Sequence, residues 1–184
     1  SSCKYGNCLS FGGSADYISI STFNGFPTGS SAGSAFAWIK TSSTASQNIV
    51  GYGADSATNW RGLFINTGSN NLYFSGKADD CGTNAVSVLK DTWYHIGYVY
   101  DGGTTITFYL NGTPYACTIA STLNTIASGN NLIGRDPGSA NSFFNGTIDD
   151  VRVYNRPLSS EEVRLLYNSS RPELGRIQND FITA

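Results

Sequence analysis

Short runs of β-forming residues, each closed by Gly, Asn or Asp, constrain this chain more than any other feature. They are Cys8–Phe11, Tyr17–Ile20, Ala35–Lys40, Asn48–Tyr52, Gly62–Asn66, Asn71–Ser75, Ala85–Leu89, Trp93–Tyr100, Thr104–Leu110, Tyr115–Ile119, Asn131–Gly134 and Gly146–Tyr154. Runs of this length, with turn residues every few positions, predict an all-β antiparallel sandwich. Asp101-Gly102-Gly103 and Asn111-Gly112 each lie between two strong β runs. A type I′ turn needs positive φ at both central residues, which Asn-Gly supplies. The stretch 93–119 therefore reads as a three-stranded meander.

One helix interrupts the pattern. Ser159-Ser160-Glu161-Glu162 matches a capping box, with Ser159 as N-cap and Glu162 three residues on. Val163, Leu166 and Tyr167 then share one face. The two early acids suit the positive end of the helix dipole. Residues 1–168 read as one domain. Residues 169–184, with Arg171-Pro172 and Gly175, read as a tail or linker.

Charge is scarce: 13% of residues, with a net charge of -2, against about 25% in an average globular chain. No charge run occurs. This excludes a basic nucleic-acid binder and a polybasic membrane anchor. No apolar stretch approaches the ~20 residues of a membrane span, and aromatic content of 13% argues against disorder. With no Met, the chain reads as a processed form whose signal or anchor lies outside it.

Cys3, Cys8, Cys81 and Cys117 show no metal-like spacing, and His95 is the only His. Four Cys allow three disulfide connectivities. Cys3–Cys8, closing a small loop, with Cys81–Cys117, tying a loop to a strand, is the favoured one. Disulfides imply an oxidising compartment, so an extracellular or cell-surface location is expected. Sequons at Asn111, Asn145 and Asn168 are weak signals, two of them being Asn-Gly-Thr turns.

From Cys8 to Tyr167 the sequence resembles the laminin-G-like, concanavalin A-like jelly-roll family. Phe36-Ala37-Trp38-Ile39-Lys40 is similar to the strand carrying that family's buried Trp. Trp93-Tyr94-His95-Ile96, with Val99-Tyr100-Asp101-Gly102, is similar to its central hairpin. Phe144 to Ser159 resembles its closing strand leading into a short helix. The resemblance implies two stacked antiparallel sheets, a recognition role often directed at glycans, and sometimes calcium. It also places Trp38, Trp93 and His95 at structural positions.

Related folds host glycosidases, which need two nearby carboxyl groups. The three Glu residues are Glu161, Glu162 and Glu173, so the Glu-bearing strand of such enzymes has no counterpart here. Asp79-Asp80 and Asp149-Asp150 are adjacent, which on a strand sends them to opposite faces. The reading is therefore of a non-enzyme.

Val151 and Val153 would share the face of Asp149 and turn it inward. A buried carboxylate must be paired or bound. Asp149 with Asp16 and loop carbonyls is the candidate calcium set, calcium wanting six to eight oxygens. Phe11-Gly12-Gly13, where relatives often carry an acid, departs from that pattern. Asp79-Asp80 is a weaker metal candidate or a solvated turn. For a ligand, Asn59-Trp60-Arg61 offers an aromatic face beside hydrogen-bonding groups, a sugar platform. Arg135, Asp136, Asn141 and Phe143 form a second loop cluster of similar chemistry. Two functions follow. One is an extracellular recognition module, binding carbohydrate or adhesive, within a larger protein. The alternative is a structural subunit or globular filament head that contacts surface protein or self-assembles.

Overall fold

The computed structural model describes residues 3–169, apart from 23, 129 and 139–141, and leaves the side chains of 84–86 undescribed. The chain forms an antiparallel sandwich of two six-stranded sheets. Sheet A contains β1 (Leu9–Gly12), β12 (Asn145–Tyr154), β3 (Gly33–Thr41), β8 (Tyr94–Tyr100), β9 (Thr105–Leu110) and β10 (Thr113–Thr118), in that order. Sheet B contains β2 (Ile18–Ile20), β11 (Asn131–Ile133), β4 (Gln47–Gly53), β5 (Trp60–Ile65), β6 (Asn71–Ser75) and β7 (Cys81–Ser87). Each predicted run corresponds to one of these strands. The meander β8-β9-β10 forms as expected. Its second turn has positive φ at Asn111 (51°) and Gly112 (82°), the type I′ signature.

Alternation along the strands builds the core. Ala35, Ala37 and Ile39 of β3 face Leu63 and Ile65 of β5 and Leu72 and Phe74 of β6 across the sandwich. The opposite face of β3 carries Phe36 and Trp38. There α1 (Ser160–Ser169) covers sheet A, burying Val163 and Leu166 against Phe36, Val99 and Tyr109. The capping box closes reciprocally: Glu162 N donates to Ser159 Oγ at 3.2 Å, and Ser159 N donates to Glu162 Oε2 at 2.8 Å.

Both favoured disulfides, Cys3–Cys8 and Cys81–Cys117, are present. The second corrects one detail. Cys81 opens β7 rather than lying in a loop, because β7 begins before the predicted run at Ala85. The bridge therefore joins the edge strand of sheet B to β10, the edge strand of sheet A. Apart from residue 169, the predicted tail lies outside the described residues. Among the described residues no helix is long and apolar enough to cross a membrane.

Candidate ligand-binding site

The outer face of sheet B is built on a glycine floor. Gly51 of β4 and Gly62 of β5 are register partners. A Cβ on either would overlap the Trp60 ring. The indole therefore lies flat on backbone, where any side chain would exclude it. Trp60 is fully buried, so the sugar platform expected at Asn59-Trp60-Arg61 does not form. The physical reason is strand extension. β5 starts at Trp60 rather than Gly62, and alternation sends Arg61, Leu63 and Ile65 inward. Arg61 is also fully buried. Its Nε donates to Thr125 Oγ1 at 2.6 Å, and its Nη2 donates to Ser31 O at 2.8 Å and Gly29 O at 3.1 Å. It is a brace at the end of the sandwich. Asn59 stays part-exposed, its Nδ2 donating to Ser56 Oγ at 2.9 Å.

Above Trp60 sits Lys77, which sequence reading missed. Its Nζ lies 5.8 Å from the Trp60 ring centroid, 2.9 Å from Asp55 Oδ1 and 2.7 Å from Asp136 Oδ1. Burial lowers the Lys77 pKa, but the two carboxylates outweigh it, and the net shift is upward. Backbone strain concentrates at the same place. Thr58 (φ 60°), Lys77 (φ 59°) and Ala78 (φ 75°) all occupy the left-handed region without being glycine. Thr58 N donates to Lys77 O at 3.2 Å, so the strained loops are bonded to each other. Such conformations cost about 1–3 kcal/mol each and cluster at functional sites.

The loop after β11 brings the second predicted cluster to the first. Its ends are pinned by Phe144 N donating to Gly134 O at 2.8 Å, and Asn48 Nδ2 donates to Arg135 O. Asp136 reaches Lys77, while the Arg135 guanidinium lies 4.8 Å from the Tyr17 ring and 5.5 Å from the Phe143 ring. Tyr17 is 44% exposed. Asn141 lies outside the described residues. The loop thus carries two groups, Lys77 with Asp55 and Asp136, and Arg135 with Tyr17 and Phe143, and their formal charges balance when taken together. Tyr17, Asp55 and Lys77 could have been sought as the polar and aromatic residues at strand ends. No spacing links them in the sequence.

The structure places the two carboxylates of the expected calcium set apart. Asp16 Oδ2 accepts from Gly12 N at 2.8 Å, and Asp149 Oδ2 accepts from Tyr5 N at 2.8 Å. Gly12 pairs with Asn145, four residues from Asp149 along β12, about 13 Å at strand rise. Among the described residues no three His, Cys, Asp or Glu side chains converge as metal ligands. The inward placement of Asp149 is also corrected. A bulge between Asp149 and Arg152, with Asp150 at φ 48°, breaks the alternation. Asp149 pairs with Trp38 under the Cys3–Cys8 loop, while Val151 and Val153 turn to the core. Asp79 is buried and accepts from Ala120 N (2.6 Å), Ser121 N (2.8 Å) and Ser121 Oγ (2.7 Å), so it is not a solvated turn. His95 packs on the outer side of sheet A, stacked on Phe36 with ring centroids 5.4 Å apart. Trp93, expected in the core, is half-buried just before β8, with Lys40 Nζ 5.4 Å from its ring.

A family model described as the concanavalin A-like lectin/glucanases superfamily matches residues 11–164. No curated protein sequence matches the chain. Among solved structures, a heptameric SAP-like pentraxin from Limulus polyphemus superposes with a TM-score of 0.62 at 15% identity, covering 86% of this chain and 80% of its own. Domain 4 of an extracellular arabinanase from Geobacillus stearothermophilus, solved with arabinotriose, gives 0.60 at 16%, covering 89% of each chain. A Bacteroides ovatus protein described as carbohydrate-binding gives 0.63 at 18% over 85% of this chain. The chain spans only 47% of that protein's length. At these identities the likeness is one of fold.

Proposed function

The chain belongs to the concanavalin A-like lectin/glucanases superfamily, and from that premise we propose that it is an extracellular carbohydrate-recognition module. The observation that carries this reading is the meeting of three loops at Lys77 beside the Trp60 ring, one of which also carries Arg135 to Tyr17. Lys77 joins Asp55 to Asp136, and Arg135 lies against the exposed Tyr17. Aromatic faces stack on sugar rings, while carboxylates and ammonium groups hydrogen-bond vicinal hydroxyls. The balanced charge suits a neutral sugar. Two fold relatives, the arabinanase domain and the Bacteroides ovatus protein, are carbohydrate-linked by description. The two disulfides support secretion or surface display.

Catalysis is not part of this reading. Asp55 and Asp136 share one ammonium rather than flanking an open cleft. Asp149 and Asp150 flank a bulge, and Asp149 is engaged by Tyr5 N. A glycan array, followed by titration with neutral oligosaccharides including arabinotriose, tests the proposal. Tyr17→Ala and Arg135→Ala are expected to weaken binding by about tenfold or more while the fold persists. Absence of binding to any neutral glycan, or binding indifferent to both variants, overturns it and favours a protein-contact role.

A further inference from the structure

A polar pocket of about 340 Å³, open to solvent, lies between the Cys3–Cys8 loop, the β12 bulge and the end of α1. Small-molecule sites run from about 300 Å³ upward. Exposed Gly6, Asn7, Arg152 and Ser169 form its rim, and Asp149 and Asp150 both line it. On a regular strand, adjacent residues point to opposite faces. Here the bulge between Asp149 and Arg152, with Asp150 at φ 48°, brings both carboxylates to one pocket.

The two carboxylates differ in charge balance. Asp150 is paired, its Oδ1 accepting from Arg152 Nε at 2.8 Å. Asp149 is only 8% exposed, and its one hydrogen bond comes from Tyr5 N, which reaches Oδ2 at 2.8 Å. No ion pair among the described residues includes it. Lys4, on the Cys3–Cys8 loop, lies instead over the Trp38 ring, its Nζ 4.0 Å from the centroid. A buried carboxylate is costly unless a cation and further donors compensate it. Oδ1 carries no hydrogen bond among the described residues, yet it keeps accessible surface where Asp149 borders the pocket.

We propose that this pocket is a second binding site, for a small polyhydroxylated amine, the chemistry of an unacetylated amino sugar. The ammonium meets Asp149 Oδ1 and supplies the counter-charge that the chain does not. The ligand's hydroxyls bond to the rim, where Asn7 and Arg152 donate and Asp150 accepts. The lining holds one negative charge in excess, so acidic and phosphorylated sugars are repelled. A calcium ion wants six to eight oxygens and finds only two carboxylates here. The site is independent of the Lys77 cluster, whose residues it does not share.

Glucosamine and glucose test this directly. They share one ring and differ at one position, an ammonium against a hydroxyl. Amide chemical shifts of the full chain, followed during titration with glucosamine, are expected to move at Tyr5, Asn7, Asp149, Asp150 and Arg152. At low salt glucosamine is expected to bind at least about tenfold more tightly than glucose. N-acetylglucosamine, which keeps the nitrogen without the charge, should bind no better than glucose. Added salt should shrink the preference. Asp149→Asn keeps an acceptor for Tyr5 N, removes the charge, and should bring glucosamine down to the level of glucose. If that variant fails to fold, the three-sugar comparison and its salt dependence on the unaltered chain decide. No glucosamine shifts up to its solubility limit, equal affinity for glucosamine and glucose, shifts mapping to Tyr17 and Arg135 instead, or a preference that survives Asp149→Asn would each overturn the proposal.

Discussion

Lys77 Nζ lies 2.7 Å from Asp136 Oδ1, and this contact ties the turn after β6 to the loop after β11 across the outer face of sheet B. The second contact, to Asp55, adds the turn after β4. Three loops that are distant in sequence are thus held by one ammonium. Removing it in Lys77→Met leaves two carboxylates facing each other without their partner. The Lys77 and Asp136 side chains are only 19% and 11% exposed, so the loss exceeds that of a surface pair. A cost of about 1–3 kcal/mol is expected in urea unfolding. The raised Lys77 pKa gives the sign of the alkaline behaviour. The pair contributes fully below the unfolded value of 10.5 and is lost as pH rises through the higher folded value. Wild type should therefore converge on Lys77→Met at strongly alkaline pH, and a constant gap there would count against the pairing.

His95 predicts an acid weakness. Burial lowers its pKa from 6.5 to about 4, with nearby Asp150 opposing and Arg152 reinforcing the shift. Between those values the unfolded chain binds a proton that the folded chain refuses. Stability is therefore complete above about pH 6.5 and falls as pH drops toward 4, by about 3 kcal/mol in all. His95→Phe keeps a flat ring against Phe36 and removes the titration. Its stability should be nearly flat over that window. Asp79 and Asp101, both held below 3.8, act at lower pH, and Glu161 and Glu162, held below 4.5, act alike in wild type and variant, so the difference between the two proteins isolates His95. An unchanged slope in the variant would falsify the assignment.

The strands were legible because each satisfies a local rule. Period-2 alternation and turn residues act over a few positions, and the sheets amplify them. The capping box at Ser159 and Glu162 is equally local. What the sequence hid is non-local. Trp60 reads as a loop aromatic because nothing nearby shows that Gly51, nine residues earlier, has vacated the space for its ring. Lys77 reads as a solvated turn residue because both its carboxylates come from other loops. Asp149 reads as inward because a bulge is invisible to an i, i+2 count. Of the predicted site, Asp136 joins the Lys77 cluster and Arg135 and Phe143 lie on the same loop, while Trp60 lies buried under Lys77 and Arg61 turns inward to Thr125, Gly29 and Ser31.

Gly62→Ala tests that support. The added methyl would overlap Trp60 and stand 2.5 Å from the Phe64 ring. Both rings are buried, so neither can swing away freely. Overpacking of this kind costs about 1–3 kcal/mol. Trp60→Ala removes the ring and should cost about 3–5 kcal/mol through the cavity it leaves. The double variant is the sharper measurement. Once the ring is gone the methyl has room, so Gly62→Ala should cost much less in the Trp60→Ala background. Additive costs would mean that the two residues do not touch.

Asp79 links the turn after β6 to the segment after β10 through three hydrogen bonds, two of them from backbone N–H groups. Its lowered pKa reflects burial, which raises it, being outweighed by the bonds from Ser121 and Ala120. Asp79→Ala removes the acceptor of the Ala120 and Ser121 amides, which water can partly replace, and is expected to cost about 1–2 kcal/mol. Asp79→Asn keeps one acceptor oxygen and should cost less than Asp79→Ala. Equal costs for the two variants would show that the carboxylate acts by packing alone.

The two disulfides should differ in worth, and topology says which matters more. Cys81–Cys117 spans 36 residues and joins the edges of opposite sheets, whereas Cys3–Cys8 spans 5. In the chain-entropy account the longer loop contributes about 4 kcal/mol and the shorter about 2 kcal/mol. The short loop has a local task as well, because it presents Tyr5 N to Asp149 and lays Tyr5 edge-on to Trp38, with centroids 6.1 Å apart. Paired Cys→Ala substitutions, one pair at a time, should show a larger drop in the urea midpoint for Cys81 and Cys117. The Cys3 and Cys8 pair should instead change Trp38 fluorescence in the folded state. A larger midpoint drop from the short loop would mean that its cover over Trp38 outweighs the entropy of the long cross-link.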